Sequence, residues 1–127
     1  MTRFLIAGLL ITHDLVHVGI YASPRSTSKP VPFDPSRSWA LAGAHVGAAP
    51  MHSASVALGL AVAAAYAAAG WALALDVAAW TGAAAAAAVL ALVLKGVWFN
   101  PWPLYGIALD VGVLAAIAAD WPPSLFA

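Results

Sequence analysis

The sequence predicts an all-α fold, a bundle of four transmembrane helices with a short interfacial helix between the first and second spans, forming a single integral membrane domain over residues 1–127. Three observations carry this reading. Hydrophobic residues make up 64% of the chain and charged residues only 8%, whereas an ordinary soluble domain is roughly a quarter charged. So few charges cannot build a water-soluble surface. Apolar stretches at about 4–21, 53–75, 77–97 and 104–120 each approach the ~20 residues needed to cross about 30 Å of hydrocarbon. The connections between them are proline-rich or very short, which leaves no room for a second domain.

The first span follows Met1-Thr2-Arg3, a basic start like that of a signal peptide. His13, Asp14 and His17 then interrupt the apolar run, and no Ala-x-Ala cleavage site precedes Ser23, so the segment reads as a retained helix. The next connection contains Pro24, Pro30, Pro32 and Pro35, which exclude a helix or a central strand. It ends in Asp34-Pro35-Ser36-Arg37, a helix-capping residue followed by proline at the first helical position. This predicts an interfacial helix over about 35–48, carrying Trp39, Leu41 and His45 and stopped by Pro50. Only Asp76 separates the second and third spans, which implies a tight helical hairpin. The third and fourth are joined through the turn Asn100-Pro101-Trp102-Pro103.

The alanine run at 83–88 favours helix but adds little drive into lipid. Small residues at four-residue spacing, Gly59 with Ala63 and Gly106 with Asp110, suit close helix approach. Codon bias toward alanine accounts for the composition equally well. Indole rings prefer the headgroup level. Trp39, Trp98 and Trp102 fall beside the first and third connections, and Trp71, Trp80 and Trp121 at the opposite span ends. Arg25, Lys29, Arg37 and Lys95 lie on the side of the first and third connections, against Arg3 on the other. The positive-inside rule then places both termini outside the cytoplasm, in the bacterial cytoplasmic membrane.

Five basic and five acidic residues give zero net charge, which offers no basic patch to nucleic acid. The expected partners are the lipid bilayer, a lipophilic ligand or substrate, and other copies or subunits in a larger membrane complex. Without cysteine there is no disulfide, thiolate metal site or cysteine nucleophile. Any metal would rest on His, Asp or Asn.

The polar residues inside the apolar runs are the candidate site. At about 100° per residue, His13, Asp14 and His17 share one arc of the first helix, and Tyr21 continues it. Asp110 sits within the fourth span and Lys95 near the end of the third, followed by Trp98 and Asn100. An ionisable side chain at the membrane centre costs about 2.5–3.5 kcal/mol on insertion scales, and such residues gather at functional sites. Counted from the connections, these groups converge in one half of the bilayer, with His52 also near that face. The other half is almost purely apolar. A pocket open toward the first and third connections follows. Interhelical hydrogen bonding, or a buried Lys95–Asp110 pair that fixes helix register, explains the same residues without a ligand.

Three functions compete. In the first, His13 and His17, helped by His52, bind or relay a small ligand, metal or proton, with Asp110 as charge partner; the pair His13 and His17 suits a His-ligated metal or haem. In the second, a membrane-embedded enzyme of the isomerase, cyclase or hydrolase type acts on a lipophilic substrate. Asp14 or Asp110 serves as general acid, a histidine as base, and Lys95 stabilises negative charge. Trp98, Trp102 and Tyr105 would then line the substrate entrance, with Asn100 a further ligand-binding candidate. In the third, the polar groups pair with another subunit of a larger complex.

The chain also resembles a group of small uncharacterised bacterial four-helix integral membrane proteins. The matching residues are His13 and His17 of a His-x-x-x-His first helix, Trp39 of an interfacial segment, the turn Asn100-Pro101-Trp102, and Gly106 with Asp110 of a Gly-x-x-x-Asp last helix. Asp14 stands where that group usually has glycine, and basic residues between the second and third helices are missing. The resemblance implies the helix layout and no particular activity.

Overall fold

The computed structural model describes residues 1–24, 32–101 and 104–126, apart from the side chain of Asp14. Arg25, Lys29, Pro30, Trp102 and Pro103 therefore lie outside the described residues, and with them part of the charge and tryptophan pattern. The described chain is all-helical: α1 (Thr2–Tyr21), α2 (Trp39–Gly43), α3 (Ala48–Ala74), α4 (Trp80–Val97), α5 (Leu104–Ala118) and a closing 3₁₀ turn (Pro123–Leu125).

By length and hydropathy, α1, α3 and α4 are each able to cross a membrane. At 1.5 Å per residue, the 27 residues of α3 extend about 40 Å and the 15 residues of α5 only about 22 Å. The α5 helix is apolar but short. Large apolar side chains point outward from the helices, including Leu5, Leu15, Val89, Val93, Leu104 and Val111. A surface of this kind suits lipid and not water.

The helix expected over 35–48 forms over five residues only, Trp39–Gly43. Asp34 is the reason. Its Oδ1 accepts from the Ser36 amide at 2.9 Å and the Ser36 hydroxyl at 2.6 Å, and its carbonyl accepts from the Arg37 amide. Asp34-Pro35 thus builds a side-chain-closed turn, and Ser38 becomes the cap of α2, accepting from the Leu41 amide. Left-handed His45 (φ 58°) ends α2 with the Val46 amide donating to the Leu41 carbonyl, a Schellman closure. Pro50 does not stop this helix. It occupies the first turn of α3, where a missing N–H costs nothing, so this helix begins at Ala48 and not at 53.

The same closure ends α3 at Asp76 (φ 63°) and α5 at Asp120 (φ 48°). The connection after α3 therefore takes 75–79, and the next helix starts at Trp80 and not at 77. Arg3 pairs with the exposed Asp76 at 2.8 Å, holding the start of α1 to this turn.

The helices pack as a chain, α1 on α3, α3 on α4 and α4 on α5, while α1 and α5 form no comparable seam. Glycines set the α1–α3 distance. A Cβ on Gly59 would lie 2.8 Å from Tyr21 Cβ, and one on Gly70 would lie 2.7 Å from Ile11 Cγ1 and 3.0 Å from the Ala7 carbonyl. Buried Ala84, Ala87, Ala88 and Ala91 line α4 at its contacts. Alanine therefore serves packing as well as composition.

Two tryptophans are not exposed anchors. Trp80 and Trp98 are buried, whereas Trp39, Trp71 and Trp121 are exposed. The Trp98 indole donates to the Pro35 carbonyl at 2.9 Å.

Candidate functional site

Asp110 is the only buried residue of α5, and three other helices converge on it. The His13 Nε2 of α1 lies 3.0 Å from its Oδ1, to which the Tyr66 hydroxyl of α3 donates at 2.7 Å; the Lys95 ammonium of α4 donates to Oδ2 at 2.5 Å. Both carboxylate oxygens are occupied. Lys95 also reaches His17 Nε2 at 2.8 Å, and His17 Nδ1 lies 3.1 Å from the His13 carbonyl. A carbonyl can only accept, so His17 carries its proton on Nδ1 and presents a bare Nε2 to the ammonium. The His17 imidazole is thus neutral. His13 donates from Nε2 to the carboxylate, and a neutral ring suffices for that. The Lys95 and Asp110 charges then cancel within a closed network.

Local packing explains how these groups meet. His13 and His17 lie one turn apart on α1, buried against Tyr66. The His17 ring is stacked between Tyr21 and Tyr66, at 6.2 Å and 6.0 Å between centroids. Gly106 gives Lys95 its path: a Cβ there would stand 2.7 Å from Lys95 Cε and 3.2 Å from Nζ. One turn later on the same helix, Asp110 receives the ammonium. The spacing Gly106-x-x-x-Asp110 is therefore a slot for a lysine stem followed by its counter-charge, and not a backbone-to-backbone contact.

The network is not sealed. A cavity of about 400 Å³ lies against it, lined by His13, His17, Tyr21, Lys95 and Gly106 together with Val16, Ile20, Tyr105 and Leu109. The Tyr21 hydroxyl is buried and has no hydrogen-bond partner among the described residues.

Comparison with known protein families, characterised proteins and solved structures yields no match. The site is read on its own geometry.

His13, His17, Lys95 and Asp110 come together; the other candidates take different places. His52 Nε2 engages the Ser23 carbonyl at 3.0 Å, beside the Ser55 hydroxyl on the Tyr21 carbonyl, so it closes the end of α1 and does not join the network. Trp98 and Asn100 donate to the Pro35 and Pro32 carbonyls. With Ser38 and Trp39 donating to the Val97 and Gly96 carbonyls, they tie the segment 32–39 over the C-terminus of α4. Their role in this structure is fastening, not lining the cavity beside the network. Tyr105 is 86% exposed yet belongs to that cavity's rim. The side chain of Asp14, a candidate acid, is outside the described residues.

Tyr66 was not among the residues singled out from sequence. Its signal is a lone phenol amid alanines in the middle of a long apolar helix, where a buried hydroxyl needs a partner.

For a metal, His13, His17 and Asp110 each offer a ligand atom, all within 4.8 Å of one another. The Lys95 ammonium already bridges His17 and Asp110, filling the cation position of that set. A metal or haem iron approaching either Nε2 would have to displace Lys95 or Asp110.

Proposed function

We propose that this chain is an integral membrane protein of four spanning helices in which His13, His17, Lys95, Asp110 and Tyr66 form a small-ligand binding site within the bilayer. The supporting observation is the placement of a buried, charge-balanced network against a cavity of about 400 Å³. A pair that serves only to fix helix register is best surrounded by packed apolar side chains, because every exposed edge invites competing solvent or lipid. Here both histidines and the lysine, though nearly covered, border a cavity. The fourth span is α5, whose 15 residues are short for the hydrocarbon; local thinning of the bilayer offsets the difference.

The binding reading is tested by purifying the protein in mild detergent beside Leu109→Trp, which fills the cavity from its apolar wall. Small molecules and metals in both samples are then measured by mass spectrometry. A species enriched in the wild type and lost in the variant is expected; equal content in both would sink the reading. Topology is tested with single cysteines introduced into this cysteine-free chain. Four spans put Ser124→Cys on the side of Asp76→Cys and opposite Ser36→Cys, whereas a re-entrant α5 would put it with Ser36→Cys.

The compact set His13, His17 and Asp110 favours a second reading, a metal site. It requires Lys95 to swing away, and metal in the purified wild type would support it.

A further inference from the structure

Two of the residues that line the cavity carry a donor hydrogen without a partner among the described residues. The Tyr21 hydroxyl is fully buried and unpartnered among the described residues. Lys95 has three N–H donors, and Asp110 and His17 account for two of them. Buried hydroxyls without a partner are rare in folded proteins unless a ligand or water takes them. Both residues line the same cavity; their side chains are almost completely covered there, so an oxygen acceptor reaches the Lys95 N–H and the Tyr21 O–H only with a small shift of the surrounding side chains.

Charge restricts what that acceptor is. Lys95 and Asp110 already neutralise one another, and the histidines need carry no charge. An anionic head would leave one uncompensated charge in a site without bulk water, which is strongly unfavourable. A neutral carbonyl group adds none, and its oxygen has two lone pairs.

The rest of the ligand is indicated by what lies beyond. A second cavity, about 420 Å³, occupies the same α1–α5 seam further from the network, with Leu9, Leu10, Gly112, Val113 and Ile117 in its wall. Leu109 belongs to both cavities. From Gly106 to Ile117 the seam runs about 16 Å along α5 at 1.5 Å per residue. The few polar groups are confined to the end at the network, and the remainder of the wall is apolar.

Resting on the ligand-binding reading, we propose that the α1–α5 seam takes a neutral, single-chain lipophilic carbonyl compound. Its oxygens accept from the free Lys95 N–H and the Tyr21 hydroxyl, and its chain lies along Leu109, Gly112 and Val113.

The test uses purified protein in nanodiscs and three probes of one chain length: methyl tridecanoate, tridecanoate and tridecane. Native mass spectrometry gives stoichiometry and affinity, and thermal unfolding gives Tm. The ester should bind one-to-one and at least tenfold more tightly than the alkane. Tyr21→Phe should weaken ester binding several-fold, leave alkane binding unchanged, and hold or raise the Tm of the empty protein, because it removes an unpaired buried hydroxyl. Equal affinity for ester and alkane, tightest binding of the carboxylate, no saturable binding, or a lower Tm for empty Tyr21→Phe would each overturn the inference. A polar molecule or metal lost in the Leu109→Trp comparison would preserve the binding site while removing this ligand class.

Discussion

Asp110→Asn is the sharpest perturbation of the network. The amide oxygen can take the place of Oδ1 and keep accepting from His13 at 3.0 Å and Tyr66 at 2.7 Å. Its NH₂ then stands where Oδ2 met the Lys95 ammonium, donor against donor, and a lysine only 3% exposed loses its counter-charge. Breaking a buried ion pair from one side costs about 3–5 kcal/mol. Lys95→Met alone leaves a buried carboxylate with two of its three donors and should cost about 3 kcal/mol, the low end of that range. The double substitution restores neutrality: the amide oxygen retains His13 and Tyr66, and methionine follows the lysine's path over Gly106. Replacing both members of a buried pair is often close to neutral, so the double variant should sit about 2–3 kcal/mol or less below wild type and give a coupling energy of at least about 3 kcal/mol. Reversible unfolding in mixed detergent micelles, followed by circular dichroism and tryptophan fluorescence, measures all four corners of the cycle. A coupling below about 0.5 kcal/mol would refute the pairing on which the site reading depends.

Other substitutions probe separate joints of the structure. Gly106→Ala should displace Lys95 from Asp110 and cost about 1–3 kcal/mol, while Gly112→Ala, with no atom within 4 Å of the added Cβ, should be neutral or stabilising by up to about 1 kcal/mol; the pair is compared by the same unfolding assay. Tyr66→Phe deletes one donor to Asp110 and should cost about 1 kcal/mol, with His13 and Lys95 still in place. Gly70→Val drives a side chain into Ile11 and the Ala7 carbonyl, and should loosen α1 from α3 by more than about 2 kcal/mol. Lys95→Ala removes the internal cation from among His13, His17 and Asp110 and should create a cobalt site visible by its absorption bands; cobalt binding at this site in the wild type would favour the metal reading instead.

How legible the protein is in its sequence depends on the scale of the signal. The helices α1, α3 and α4 follow from apolar length sustained over 18 residues or more, a property that needs no knowledge of neighbours. Their ends do not. Pro50 suits the stop of one helix and the first turn of the next equally well, and Asp34-Pro35 reads as a cap until Ser36 closes a turn on the carboxylate. His13, His17, Lys95 and Asp110 stand out because charge within an apolar run is costly wherever it lies, and the structure brings those four together. Burial separates Trp98 from the exposed indoles. Partners separate His52 and Asn100 from the network, since each bonds to a backbone carbonyl brought near by the chain's return. Tyr66 was hidden for the converse reason: its hydroxyl acquires meaning only when Asp110 of another helix stands opposite.

The fastening of α5 joins stability to the proposed function. This helix is short, packs chiefly on α4, and buries only Asp110. The side chain that anchors it is therefore also the centre of the polar site, reached from α1 by His13, from α3 by Tyr66 and from α4 by Lys95. Between α1 and α5 the two cavities take the place of a packed seam. Closing that seam with large apolar side chains would make a firmer bundle, since each would bury surface now left open. The groove persists beside an anchor made of hydrogen bonds, which hold α5 at a distance from α1 that direct packing would not keep. On this geometry a ligand in the seam would replace the missing α1–α5 contacts. Binding should therefore raise the stability of α5 more than that of α1, α3 or α4, an order that site-resolved hydrogen exchange measures directly.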